Sequence, residues 1–216
     1  MTNRNKEIID VYNLISKDYY IKRENMALTK EIEKLCSTVP MGGRILDAGC
    51  GNGRDTILFA KKGFRVIGVD FSDGQLHYAY QRENTGQISF LKQDILQLDF
   101  PTNSFDGIWC CAVLPHFNKI EVLHILQSFN KVLVDSGCAI VTFKKGVGES
   151  YVTETEFGNI KRFTSYMNED EIETIAKMSG FIIKEMYTYN EQERFTKNNR
   201  NLDFIVSVLQ KSDTSV

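Results

Sequence analysis

Three glycines within five residues, set between an apolar run and a second apolar run that ends in an acid, constrain this chain more than any other feature. The stretch Arg44–Asp70 reads RILDAGCGNGRDTILFAKKGFRVIGVD. Arg44-Ile45-Leu46-Asp47 enters a loop with Gly49, Gly51 and Gly53. A helical stretch runs to Gly63, and Arg65-Val66-Ile67-Gly68-Val69 then leads into Asp70. Strand, glycine turn, helix and strand in that order place backbone close to a ligand, and an acid at the tip of the second strand suits ribose hydroxyls. The stretch reads as a nucleoside site.

Glycine spacing separates two ligand classes. A dinucleotide fingerprint is G-x-G-x-x-G, opening a helix that faces a pyrophosphate. Here the spacing is G-x-G-x-G, preceded by Asp47. An acid at that point disfavours a pyrophosphate and suits a cationic amino group or its ordered water. The expected ligand carries an amino acid and a ribose.

These residues resemble a known family. Ile45-Leu46-Asp47-Ala48-Gly49-Cys50-Gly51-Asn52-Gly53 is similar to the first motif of the class I S-adenosylmethionine-dependent methyltransferases, and Asp70 to their ribose-binding acid. The resemblance implies S-adenosyl-L-methionine as cofactor, with S-adenosyl-L-homocysteine as product. It implies an α/β Rossmann-like three-layer sandwich with a seven-stranded, mostly parallel sheet in the order 3-2-1-4-5-7-6, the last strand antiparallel. The 216 residues divide as one methyltransferase domain: a helical cap (1–40), a cofactor-binding core (44–143), a substrate-side connection (144–167) and a C-terminal helix with a strand hairpin (168–210).

In the cap, Ile8, Val11, Tyr12, Ile15 and Tyr19, then Leu28, Ile32, Leu35 and Val39, recur at helical spacing before Pro40. Two helices are expected, joined by the polar and aromatic segment Asp18–Glu24. The resemblance makes Tyr12, Tyr19, Tyr20 and Arg23 lid residues, Tyr20 toward the cofactor and Tyr19 and Arg23 toward the substrate; Tyr12 and Tyr19 read equally as core aromatics.

After Asp70 and Phe71, Ser72-Asp73-Gly74-Gln75 matches an S-x-x-Q capping box. The helix it opens is expected to end at Asn84-Thr85-Gly86. Ile88–Leu91 leads to Asp94 and Ile95, where the family's adenine-binding acid falls. Phe105–Val113 is a continuous apolar run, as expected of a strand covered on both faces. By resemblance, backbone at Cys110 and Cys111 passes the cofactor and the loop Leu114–Phe117 faces the substrate. His116 is the candidate general base, since an imidazole titrates near neutrality; the alternative is a loop histidine that shapes the pocket.

Lys144–Tyr166 reads as a long connection leaving the carboxyl end of a strand. Its K-x-G-x-G-E and R-F-x-x-Y patterns resemble a subgroup of small bacterial methyltransferases, which makes Lys145, Glu149, Arg162 and Tyr166 substrate candidates; a salt-bridged structural loop is the other reading. Asn168–Glu171 opens a capped helix, and Phe181–Tyr187 and Asn201–Leu209 read as the last two strands, with a frayed tail from Ser212.

Net charge is −2, which offers no global field toward nucleic acid or anionic membrane. No apolar run reaches the length of a membrane span, the N-terminus lacks a signal-peptide core, and a cytoplasmic protein is expected. The five cysteines show no metal-ligand spacing, so no metal is expected. A small molecule methylated on N or O is the favoured acceptor, with RNA or peptide open, because Lys144, Lys145, Lys161, Arg162, Arg194, Lys197 and Arg200 could contact phosphates. A non-catalytic S-adenosylmethionine-binding module is the alternative of another class. Monomer and homodimer are both open.

Overall fold

The computed structural model describes residues 3–82, 86–195 and 200–212. Two helices, α1 (Asn3–Arg23) and α2 (Thr29–Thr38), precede alternating strands and helices: β1 (Arg44–Ala48), α3 (Arg54–Lys61), β2 (Arg65–Asp70), α4 (Asp73–Tyr80), β3 (Ile88–Lys92) and β4 (Phe105–Cys110). Helix α5 (Lys119–Val132) runs straight into β5 (Leu133–Lys145). Then come β6 (Gly148–Glu154), β7 (Ile160–Met167), α6 (Glu169–Met178), β8 (Phe181–Asn190), the single turn α7 (Glu191–Arg194) and β9 (Asp203–Lys211).

β3, β2, β1, β4 and β5 pair in parallel in that order. β9 then pairs antiparallel with β5, and β8 with β9. This is the expected Rossmann-like order once β8 and β9 are taken as its sixth and seventh strands. The sheet nevertheless holds nine strands rather than seven. The difference is the stretch read from sequence as an open connection: β6 and β7 form an antiparallel hairpin, and β7 joins β5 in parallel only at Lys144 and Lys145. The hairpin satisfies its own backbone groups, which a bare loop of that length would leave to water.

Strand side chains alternate between two helical layers. On β4, Ile108 and Cys110 enter a core with α5 and α6, whereas Trp109 enters the opposite core with α2 and α3. Helices α5 and α6 each start with a reciprocal capping box, Asn118 with Glu121 and Asn168 with Glu171. At α4 only half of the expected box forms. Ser72 Oγ accepts from Gln75 N at 3.1 Å, but the Gln75 side chain does not return the bond.

The segment Asp18–Arg23, expected as a joint, is the last turn of α1. The Asn84-Thr85 helix end, Lys197 and the tail beyond Ser212 lie outside the described residues. Helix α1 crosses the carboxyl edge of the sheet. On one side Asn13 Oδ1 accepts from Ser72 Oγ at 2.8 Å and from Gly74 N at 2.9 Å. A Cβ on Gly74 would stand 2.9 Å from the Asn13 Cα, so only glycine allows this approach. On the other side Arg23 pairs with Glu156 and Arg4 stacks on Phe163 of the hairpin.

Candidate functional site

The loop after β1 turns through three left-handed glycines, Gly49, Gly51 and Gly53 (φ 79°, 53° and 77°). A Cβ on Gly49 would lie 2.4 Å from Val113, so the backbone of this turn and the loop after β4 approach as closely as glycine permits. Gly51 N donates to Asp70 Oδ2 and Ser72 N to Oδ1, both at 2.9 Å. The carboxylate is thereby fixed at the tip of β2 with acceptor capacity left over. Burial pushes Asp70 up to about 6, against the backbone N–H groups of Ser72, Gly51 and Phe71, which lower it.

Gly49, Gly51, Asp70, Phe71 and Gln75 line one cavity. The Gln75 amide is buried and neither its oxygen nor its nitrogen has a partner in the protein. Orphaned buried amides are costly, and this one lies where a polar ligand would complete it. A carboxylate beside open glycine backbone, with an unsatisfied amide next to Gly51, fits a nucleoside carrying an amino acid.

Asp47 is not in this lining. It turns into the protein, where Thr56 Oγ1 donates to it at 2.5 Å. Burial, and after it repulsion from Asp55, raises it to about 8, so it is largely protonated at neutral pH.

A second cavity adjoins the first, and the two share Tyr12, Tyr19, Cys111, Ala112 and His116. Ala112 sits at this junction in the left-handed region (φ 59°), held by its N–H donating to Thr142 Oγ1 at 2.7 Å. Strained backbone of this kind costs about 1–3 kcal/mol and concentrates at functional sites.

A chain of side chains crosses the same junction. Arg162 Nη1 donates to Tyr12 Oη at 2.7 Å, and Tyr12 Oη lies 2.8 Å from His116 Nε2. With its oxygen already accepting from the guanidinium, the phenol has its own proton to donate to Nε2. Nδ1 is buried toward the Phe163 backbone without a well-formed hydrogen bond. Burial lowers His116 to about 3, helped by the charges of Arg162 and Lys144, so the imidazole is neutral. Burial likewise holds the Tyr12 phenol above its usual range. The arrangement can pass a proton to Nε2 through Tyr12.

The remaining wall is charged. Glu154 accepts from Arg162 at 2.5 Å and lies 4.0 Å from both Lys144 and Arg200, while Arg200 also pairs with Glu191 at 3.3 Å. Burial works to raise Glu154, yet the surrounding guanidinium groups hold it at about 2.

Of the residues singled out from sequence, Gly49, Gly51, Asp70, Phe71, Cys111, Tyr19 and His116 meet at the first cavity, and Tyr19, Arg23, Arg162, Cys111 and His116 at the second. Others lie elsewhere. Tyr20 stacks on Tyr78 (4.9 Å) and under Arg82 (5.2 Å), because its place on α1 is turned to α4. Cys110 and Ile95 are buried in the core. Asp94 caps the short turn after β3 by accepting from Leu96 N at 3.0 Å. Lys145 pairs with Glu169 on the surface, and Glu149 accepts from Lys119 N. Tyr166 lines a separate groove beside Glu154 and Arg200.

Sequence reasoning missed Gln75, Glu154 and Arg54. Gln75 was absorbed as the second half of a capping box. Glu154 lay in a polar stretch with no periodicity, and a strand pattern there would have been the only signal. Arg54 follows the glycine loop directly; it clasps Asp55 with two bonds (2.7 and 2.9 Å) and lines the second cavity.

A family model described as a methyltransferase domain matches residues 45–137. The YqeM protein of Bacillus subtilis, named as a methyltransferase, is 33% identical over 166 residues, covering 71% of this chain and 65% of that protein. The chain therefore spans just under two thirds of this curated relative. Among solved structures, the fold superposes on the 1,6-didemethyltoxoflavin N1-methyltransferase of Burkholderia thailandensis with a TM-score of 0.77 at 18% identity, covering 99% of this chain and 92% of that one. It superposes on a SAM-dependent methyltransferase of Methanosarcina mazei with a TM-score of 0.72 at 20% identity, covering 83% and 97%. At such identities the likeness concerns the fold. Residues 45–137 thus resemble a methyltransferase domain, and the chain as a whole has the fold of these solved structures.

Proposed function

We propose that this protein transfers the methyl group of S-adenosyl-L-methionine to a nucleophilic nitrogen or oxygen of a small molecule by in-line displacement. The observation that carries the reading is the meeting of two cavities at Tyr12, Ala112 and His116, one floored by the glycine loop and Asp70. Bound S-adenosylmethionine supplies a methyl group already activated on a sulfonium sulfur. Asp70 and Gln75 are the residues suited to hold the donor, with Gly49 and Gly51 letting it sit against backbone.

The protein's share of the rate is then orientation and exclusion of water. Holding two reactants in contact geometry supplies roughly 7–11 kcal/mol of a barrier. Where the acceptor has a proton to lose, Tyr12 takes it while passing its own to His116 Nε2. Arg162 keeps the phenol turned for that exchange.

The small-molecule acceptor is favoured over RNA because the expected phosphate contacts are mostly spoken for. Arg162 is buried against Glu154, Arg200 pairs with Glu191, Arg194 clasps Glu31, and Lys145 pairs with Glu169, while Lys144 is buried. Among the described residues no helix is long and apolar enough to cross a membrane.

The test is calorimetric titration with S-adenosylhomocysteine, followed by incubation with methyl-labelled S-adenosylmethionine and fractions of the source cell's extract. One-to-one binding and label in a small-molecule fraction are expected. A failure to bind S-adenosylhomocysteine removes the reading; label appearing in RNA replaces its acceptor.

A further inference from the structure

The charged wall of the second cavity does not balance. Among the described residues five cations line it, of which Arg54 has Asp55 and Arg23 has Glu156 as partners. That leaves Lys144, Arg162 and Arg200 against Glu154 and Glu191. Arg162 takes the short contact to Glu154 at 2.5 Å and Arg200 the contact to Glu191 at 3.3 Å. Lys144 has the poorest share, reaching Glu154 only at 4.0 Å, although it is 94% buried. A buried cation without a close counter-ion is costly, and the cost is removed when an anion enters. Burial lowers Lys144 to about 8; Glu154 works against this, and the charges of Arg200 and Arg162 add to it.

Aromatic residues make up much of the remaining wall. Tyr12, Tyr19, Tyr189, Phe195 and Phe204 line the same space, a composition that suits a flat body with a polar end. We infer that the methyl acceptor is a planar small molecule bearing a carboxylate, and that this carboxylate docks on Lys144 between Arg162 and Arg200. The inference rests on the reading of the adjoining cavity as the donor's site.

A consequence reaches the junction. Lys144 and Arg162 are both among the charges that keep His116 neutral. An anion beside them offsets that field and makes Nε2 a better proton acceptor when the acceptor is in place.

The experiment first saturates the protein with S-adenosylhomocysteine, then titrates benzoate and, separately, its neutral counterpart benzamide. Benzoate is expected to bind about tenfold more tightly than benzamide, the scale of a close buried charge contact. Lys144→Gln is expected to abolish the preference with S-adenosylhomocysteine affinity unchanged. Arg200→Gln, on a more exposed side chain, is expected to reduce it and serves if Lys144→Gln does not fold. Equal affinity for the two probes, no benzoate binding to the loaded protein, or a preference undiminished in the folded variants overturns the inference while leaving the donor reading intact. No binding of S-adenosylhomocysteine by the wild type removes the donor reading, and this inference falls with it.

Discussion

The two cavities that meet at Ala112 are built in opposite ways. The one floored by the glycine loop is local in sequence: Gly51 reaches Asp70 across 19 residues, and Ser72 reaches it across two. The charged one is assembled from afar. Tyr12 meets His116 across 104 residues, Arg23 meets Glu156 across 133, and Arg162 meets Tyr12 across 150. A local site is nearly complete once β1, its turn and β2 have formed. A site of long-range contacts exists only when the hairpin, α1 and the sheet have all docked, so it is the part that a sequence can vary to suit an acceptor.

The contrast can be broken most forcefully at Glu154. Replacing it by glutamine leaves Arg162, Lys144 and Arg200 facing one another. Loss of one partner from a buried charge group costs about 3–5 kcal/mol, so Glu154→Gln should lower Tm by roughly 10 °C in a thermal melt. An unchanged Tm would mean that the distant contacts contribute no more than surface pairs. Next in size is Asp70→Ala. It removes a charged acceptor from the local cavity and frees the Gly51 and Ser72 N–H groups, so S-adenosylhomocysteine affinity measured by calorimetry should drop by about 10- to 100-fold. Stability should suffer less than in Glu154→Gln, and the reverse ranking would collapse the distinction.

His116 sharpens it through pH. Its folded-state value is depressed to about 3, whereas the unfolded chain takes up a proton near 6.5. Stability from the neutral imidazole is therefore present above 6.5 and lost as pH falls toward 3, amounting to about 2 kcal/mol at pH 5 relative to neutral. Asp70, raised to about 6, and Asp47, raised to about 8, act in the opposite sense, binding protons more readily when folded. The acid-induced loss should thus be read as the difference between wild type and His116→Asn in denaturant titrations at pH 7 and pH 5. The smallest effect is expected at the junction. Ala112→Gly relieves a left-handed alanine and should stabilise by about 0.5–1 kcal/mol, read as a shift in denaturant midpoint.

The same division explains what could be read from the residues in order. The Gly49, Gly51 and Asp70 constellation was legible because it depends on spacing within a single βαβ unit, whereas the strand order was legible only through the family resemblance. Asp47 was placed in the ligand's path by its position before the loop, whereas its side chain turns inward to Thr56. One strand residue further along decides which face a side chain takes. Tyr20 was legible as a helix residue but not as one facing Tyr78, since that depends on how α1 docks. The β6–β7 hairpin was hidden because a short amphipathic pattern of polar and aromatic residues reads as loop until a partner strand is known.

Helix α1 places neighbouring residues in both halves: Asn13 holds the start of α4 beside the local cavity, while Tyr12 joins Arg162 and His116 beside the other. Swinging the helix out would sever both sets of bonds in a single movement. Access to the two cavities is therefore tied to a single element.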